Sequence, residues 1–173
     1  MFINENWCRN YKVRKKTCNQ NLELLSVSFR PFYLPREFNR IDVFLVYIPP
    51  DANAPAAAQE VADIVHAMET ASPDSPKIIL GDFNHCPLED VLPNYDQCVQ
   101  SPTRGDRVLD RCYCSVKDSY KSLVRCPLGN SDHSTVHLMS KYRTKLKSEK
   151  VTTKKIKVWN ESIQLNICKR ASS

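Results

Sequence analysis

Glycine is scarce in this sequence, with 3 residues in 173 against 11 prolines, and no apolar run is long enough to cross a membrane. The first residues have neither a basic start nor a hydrophobic centre, which argues against a signal peptide. We therefore expect an intracellular protein that contacts no membrane. A hydrophobic fraction of 42% and a charged fraction of 25% are ordinary for a globular domain, and this length allows one sizeable core.

The eight cysteines lack the two-residue spacing that is typical of zinc ribbons, and no export signal accompanies them. Cys112 and Cys114 are the one close pair, and in a strand both would face the same side. We expect reduced, mostly buried thiols. A structural zinc site is the alternative.

The net charge of +6 is unevenly distributed along the chain. From residue 141 onward there are 10 basic and 2 acidic residues, whereas the first 140 residues hold 15 basic and 17 acidic ones. This change predicts a globular domain over residues 1–140 and a basic tail or linker over residues 141–173. Such a tail can bind the phosphates of nucleic acid, and the basic residues nearest the domain are Lys141, Arg143, Lys145 and Lys147. A solvated linker is the alternative.

Alternating and continuous apolar runs predict a series of strands, and one segment has helical spacing. The first twenty residues show no clear period. A helix is predicted over residues 55–70, and residues 87–93 could form a second, short helix. The predicted strands cover residues 21–30, 41–48, 78–80, 107–115, 119–126 and 134–139. We expect a bulge in strand 21–30 and burial of strand 41–48 on both faces. Strands 107–115 and 119–126 are expected to form a hairpin.

Polar residues directly follow the apolar run at Ile78. In an extended chain Asp82 and Asn84 would share one face, while Phe83 would turn toward the core. A carboxylate can orient or deprotonate a water, and an amide can donate to a phosphate oxygen without adding negative charge. The pair therefore suits cleavage of a phosphate ester, although Asp and Asn also favour ordinary turns.

Asp110 and His133 also stand at the ends of predicted strands. Each has a structural alternative, since Asp110 could pair with Arg107 or Arg111 and His133 could bond only to a backbone carbonyl. If the sheet gathers these strand ends on one rim, Asp110 fixes the tautomer of His133 and Asp82 faces the histidine across a pocket.

Four short motifs, taken in order, resemble those of the endonuclease/exonuclease/phosphatase family, which includes the apurinic/apyrimidinic endonucleases and deoxyribonuclease I. They are Val-Tyr-Ile-Pro-Pro (46–50), Ile-Leu-Gly-Asp-Phe-Asn (79–84), Leu-Asp (109–110) and Ser-Asp-His (131–133). The chain is most similar to the endonuclease domain of LINE-type non-LTR retrotransposons, whose polyprotein continues into a reverse transcriptase. The resemblance covers residues 22–141.

The resemblance implies a four-layered α/β sandwich, in which two mainly antiparallel sheets pack between helices. It also implies metal-assisted hydrolysis of phosphodiesters with Mg²⁺, or with Mn²⁺ in its place. Carried onto this chain, it gives Asp82 the role of activating the attacking water and Asn84 that of holding the water or a phosphate oxygen. His133, aligned by Asp110, would contact the scissile phosphate.

Two further roles follow from the same resemblance. Asp132 would help to organise the metal, and the hydroxyl of Tyr47 would reach the phosphate. An ordinary interior tyrosine is the alternative for Tyr47.

Family members carry an upstream Asn and a Glu that is the principal metal ligand, and neither can be placed in this sequence, because the segment around Glu5 does not resemble the metal-binding motif. We therefore expect a domain that lacks its N-terminal strands and holds its metal weakly. The predicted function is that of a DNA endonuclease of the retrotransposon type, nuclear if it acts on chromosomal DNA and joined to a reverse transcriptase region in the full-length element. The alternative is an inactive fragment that binds nucleic acid through its basic tail.

Overall fold

The structure, a computed structural model, describes residues 1–142, and the predicted tail contacts Arg143, Lys145 and Lys147 lie outside this part. Eight strands and one helix follow one another along the described chain. They are β1 (Asn10–Cys18), β2 (Glu23–Arg30), β3 (Ile41–Tyr47), α1 (Ala54–Ala71), β4 (Lys77–Asp82), β5 (Asp96–Gln97), β6 (Asp110–Cys114), β7 (Tyr120–Arg125) and β8 (Thr135–Ser140).

Six strands form a large sheet in the order β1-β2-β3-β4-β6-β5, and β7 pairs with β8 in a small sheet. All pairings are antiparallel except that of β3 with β4, which α1 connects in a βαβ unit. The predicted mixed α/β class with two mainly antiparallel sheets is confirmed. Within residues 1–142 no helix covers the outer side of the small sheet, so the described part has three layers. No helix in this part is long and apolar enough to span a membrane.

The large sheet is covered on both faces. On one face, Phe44 and Ile79 pack against Val61 and Val65 of α1, which recur at helical spacing. Asn53 caps this helix by accepting from the amide of Ala56, in agreement with its predicted start. On the other face the small sheet packs against β4 and β6, through side chains that include Leu80, Cys112, Val136 and Leu138.

Several local predictions were wrong. Segment 87–93 contains turns and no helix. The predicted hairpin of 107–115 with 119–126 does not form, because β6 pairs with β4 and β5 whereas β7 pairs with β8. In β3 only alternate residues such as Phe44 and Val46 are fully buried, so the strand is not buried equally on its two faces.

Strand β1 was not predicted, because nearly all of its residues are exposed and the strand therefore shows no apolar alternation. It forms one edge of the large sheet and carries four basic residues, Lys12, Arg14, Lys15 and Lys16. The bulge expected in β2 lies instead in β1, where the register shifts between Val13 and Lys15.

Buried charges join the starts of β3 and β4. Asp42 and Lys77 are register partners, both nearly inaccessible, with Nζ of Lys77 4.0 Å from Oδ2 of Asp42. The ammonium also donates to the carbonyl oxygens of Ser72 and Ser75, so it ties the end of α1 to the sheet. Burial lowers the pKa of Lys77, and the carboxylate of Asp42 opposes this effect.

Gly81 allows β3 and β4 to approach each other. Its φ of +153° is rarely adopted by other residues, and a Cβ there would lie 1.7 Å from the carbonyl oxygen of Val46. Only glycine therefore fits next to Asp82 in this register.

We expect Gly81→Ala to lower the free energy of unfolding by at least about 4 kcal/mol, since the clash is with backbone that cannot move aside. Denaturant titration followed by circular dichroism measures this. Gly105→Ala is the matched control: its φ of +54° is also positive but its Cβ would meet open space, so a loss of about 1–2 kcal/mol is expected. Equal losses in the two variants would contradict the role of Gly81.

Candidate active site

Side chains from neighbouring strands form a row at one end of the large sheet. Tyr47 of β3 is in register with Asp82 of β4, and Asp82 is in register with Asp110 of β6. Register partners project from the same face of a sheet, so the three side chains share one rim. Glu23 of β2 extends this row, as the partner of Tyr47. Sequence reasoning did not single out Glu23, because strand pairing is not visible in one sequence.

His133 lies over the rim between two carboxylates. Its Nδ1 is 2.8 Å from Oδ2 of Asp110, and its Nε2 is 4.0 Å from Oδ2 of Asp82. An ionised carboxylate can only accept, so Nδ1–H donates to Asp110 and Nε2 faces the pocket beside Asp82. The structure thus brings together the three residues that the sequence separates by 28 and 23 positions.

Thr103 joins the two segments that carry this pair. Its buried hydroxyl accepts from the backbone amides of Leu109 and Asp110, and its carbonyl oxygen accepts from the amide of Ser134, next to His133. The loop of His133 is also held by Ser131, whose hydroxyl accepts from the amide of His133. Thr103 lies in an irregular segment, where no periodic pattern could have indicated its role.

Asn84 has a structural task in addition to its place beside the rim. Strand β4 ends at Asp82, and Asn84 adopts a left-handed backbone conformation with a φ of 47°, so the two residues do not share one face of an extended strand as predicted. The amide nitrogen of the Asn84 side chain donates to the carbonyl oxygen of Ile48 over 2.8 Å, and its backbone N–H donates to Oδ1 of Asp82. Phe83 is fully buried, as predicted.

The remaining predicted residues are less closely grouped. Asp132 pairs with Arg104, whose Nη2 is 2.5 Å from Oδ2 of the carboxylate, and both side chains are at least half exposed. Tyr47 is 40% exposed, which excludes the interior alternative. Nζ of Lys141 is 3.6 Å from Oδ1 of Asp118. Lys141 follows the last residue of β8, so it lies at the end of the small sheet opposite to His133.

The oxygen ligands at the rim fit a divalent hard cation. Mg²⁺ in proteins typically uses one or two carboxylates and completes its shell with water and substrate oxygens. The partly exposed carboxylate of Asp82 can belong to such a shell, whereas the carboxylate of Asp132 is paired with Arg104. Asp110 is occupied by its bond to His133, so it is less suited to bind metal.

Several solved structures share this fold. The catalytic domain of human Nocturnin, solved with a bound sulfate anion, aligns with a TM-score of 0.50 and 14% identity over 75% of this chain and 60% of that one. A conserved protein of unknown function from Enterococcus faecalis V583 aligns with a TM-score of 0.50 and 10% identity over 80% of this chain and 69% of that one. An endonuclease/exonuclease/phosphatase family protein from Bacteroides thetaiotaomicron is also similar, with a TM-score of 0.49 and 15% identity over 66% and 54% of the two chains.

Searches with protein-family models and against curated proteins give no match. The chain spans about 60% of the Nocturnin catalytic domain. At these identities the likeness concerns the fold alone, and any activity depends on the residues of the rim.

We expect Asn84→Ala to reduce the free energy of unfolding by about 2–5 kcal/mol, since it leaves the buried carbonyl of Ile48 without its donor and puts alanine at a φ of 47°. Chemical denaturation is the measurement. Asn94→Ala, at an exposed position, is the control and should change stability by less than about 0.5 kcal/mol. A stable Asn84→Ala variant would show that the bond to Ile48 contributes little.

Proposed function

We propose that this chain hydrolyses phosphodiesters with the help of a divalent metal ion, acting as a DNA endonuclease of the kind found in LINE-type retrotransposons. The observation that carries the proposal is the placement of His133 between Asp110 and Asp82 at one rim of the sheet. The resemblance of the sequence motifs to the endonuclease domain of LINE-type retrotransposons is the reason for choosing DNA as the substrate.

His133 supplies the donor for the phosphate. Asp110 accepts a hydrogen bond from Nδ1–H and so keeps the ring in one orientation, which leaves Nε2 directed at the pocket. A protonated Nε2 can donate to a non-bridging phosphate oxygen, whose negative charge increases during attack by water. In that form of the ring both nitrogens are donors, one to Asp110 and one to the phosphate.

Asp82 acts on the water. Its Oδ1 accepts from the backbone N–H of Asn84, which fixes the carboxylate, and its Oδ2 faces His133. The 4.0 Å between Nε2 and Oδ2 exceeds a hydrogen bond, so the two groups do not bond directly, and one oxygen atom placed to the side can contact both. Asn84 and the hydroxyl of Tyr47 would position that water or the phosphate from the same rim.

Asp82 and Asp132 are the residues that would hold Mg²⁺ or Mn²⁺. The bound ion would neutralise charge on the phosphate, which is already anionic before the water attacks.

The basic tail would contribute to DNA binding through contacts to phosphates by Lys141, Arg143, Lys145 and Lys147. This role accompanies catalysis in the proposal and does not replace it. A protein that only binds nucleic acid would not need the oriented His133 and Asp110 pair.

We expect nicking of supercoiled plasmid in Mg²⁺ or Mn²⁺ to fall by about 100- to 10,000-fold in Asp82→Ala and in His133→Ala, because each removes a group that acts on the water or the phosphate. Asp110→Asn should also slow nicking, since it leaves His133 in place but disturbs its tautomer. Gel analysis of nicked circles over time measures the rates.

His66→Ala is the matched control. His66 is exposed on α1, and its ion-pair partner is Glu69 of the same helix. It should nick at the original rate. Each variant is first compared with the original protein by circular dichroism. If folded original protein does not nick in either ion, or if Asp82→Ala and His133→Ala retain full activity, the proposed function is wrong.

For the tail we expect the triple variant Arg143→Gln, Lys145→Gln, Lys147→Gln to bind DNA with a weaker salt dependence. The slope of log K against log salt should decrease by about 0.9 for each phosphate that the variant no longer neutralises. Fluorescence anisotropy with a labelled duplex gives this slope. The control variant replaces Lys12, Lys15 and Lys16 of β1 with Gln, and an equal change there would show that overall charge alone governs binding.

A further inference from the structure

Three cysteine thiols lie together away from the rim. Sγ of Cys98 is 3.5 Å from Sγ of Cys114, and Sγ of Cys112 is 3.8 Å from Sγ of Cys114. All three sulfur atoms lie within 4.8 Å of one another. No disulfide joins them, and Cys112 and Cys114 are buried while Cys98 is partly exposed.

The strand register brings these thiols together. Cys112 and Cys114 lie two residues apart on β6, so they project from the same face. Asp96 and Gln97 of β5 pair antiparallel with Cys114 and Tyr113, and the backbone N–H of Cys98 donates to the carbonyl oxygen of Cys112. The thiol of Cys98 therefore lies next to the other two, although Cys98 and Cys112 are 14 positions apart in the sequence.

The sulfur separations match those around a single small cation. With a zinc–sulfur distance of about 2.3 Å, tetrahedral geometry sets two ligating sulfurs about 3.8 Å apart, and trigonal geometry about 4.0 Å apart. Thiolates select soft cations such as Zn²⁺ and Cu⁺ over Mg²⁺. Three thiols at these separations need little movement to bind one such ion.

A buried serine lies next to the cluster. The hydroxyl of Ser119 is buried and contacts Cys114. Three thiolates leave one position of a tetrahedral Zn²⁺ open, and a water molecule can occupy it.

We propose that Cys98, Cys112 and Cys114 form a site for one thiophilic d¹⁰ cation, Zn²⁺ or Cu⁺. The ion would join the end of β5 to β6 on the face that the small sheet covers. On binding, the three thiols lose their protons to solvent and no electron is transferred. The site differs from the rim in its ligands, which are soft thiolates in place of carboxylates, although Cys112 is only two residues along β6 from Asp110.

The test uses the full chain, purified with its thiols reduced and freed of metal by a chelator. Competition with a chromophoric zinc chelator measures Zn²⁺ binding, and an anaerobic competition with a Cu⁺ chelator measures binding of the second ion. Co²⁺ is the spectroscopic probe, because thiolate ligation gives near-ultraviolet charge-transfer absorption. We expect one equivalent of Zn²⁺ or Cu⁺ to bind, thiolate absorption with Co²⁺, and an increase in Tm when the ion is added.

Cys98→Ser and Cys112→Ser should each weaken binding by at least tenfold and reduce the Co²⁺ absorption. Cys86→Ser, which removes a buried thiol outside the cluster, is the matched control and should bind as the original protein does. If Cys112→Ser does not fold, Cys98→Ser still decides, since Cys98 is only partly buried. The proposal is overturned if neither ion binds in one equivalent, or if Cys98→Ser binds as tightly as the original chain.

Discussion

The register between β3, β4 and β6 is the constraint on which the candidate site depends. Tyr47, Asp82 and Asp110 stand side by side only because each strand is held at one alignment with the next. Side chains alternate between the faces of a strand, so a slip of one residue in β4 would turn Asp82 toward α1 and remove it from His133. The aspartate that faces His133 is therefore determined by backbone pairing.

Two features fix this register from opposite ends of the strands. Near the rim, the backbone of Val46 leaves no space for a side chain at position 81, so only a register with glycine there is accepted. At the starts of the strands, Asp42 lies opposite Lys77 in a nearly inaccessible pair. A shift would separate these charges in the interior, where an unpaired charge is costly. Stability and the geometry of the rim thus depend on the same alignment.

Much of this could be predicted from the sequence, because the relevant signals are local. The apolar spacing of α1 and the run before Asp82 identified the elements, and the motif order identified Asp110 and His133 as their companions. Partner choice was harder. The neighbouring segments β6 and β7 were predicted as a hairpin, since adjacency in sequence favours such pairing, but β6 instead completes the large sheet.

Other parts had no local signal at all. Thr103 and Arg104 come from an irregular segment, and their contacts with the His133 loop arise only when distant segments meet. Asn84 looked like a free amide in the sequence, whereas the folded chain uses it to satisfy the carbonyl of Ile48. The place of Cys98 beside Cys112 and Cys114 could not be predicted either. Cys98 directly follows β5, a strand of two residues that is too short to show a periodic pattern.

The exposed edge strand β1 has a consequence for how molecules of this protein meet. An open strand can recruit the backbone of another copy and so start a growing fibre. Here a second β1 would have to pair with a strand whose register shifts after Val13. The pairing would also bring the lysines of the two strands, Lys12, Lys15 and Lys16, close to one another. Repulsion between the lysine charges and the shifted register both make self-association along this edge unfavourable. The same lysines that hide β1 from pattern analysis therefore oppose its pairing with another copy.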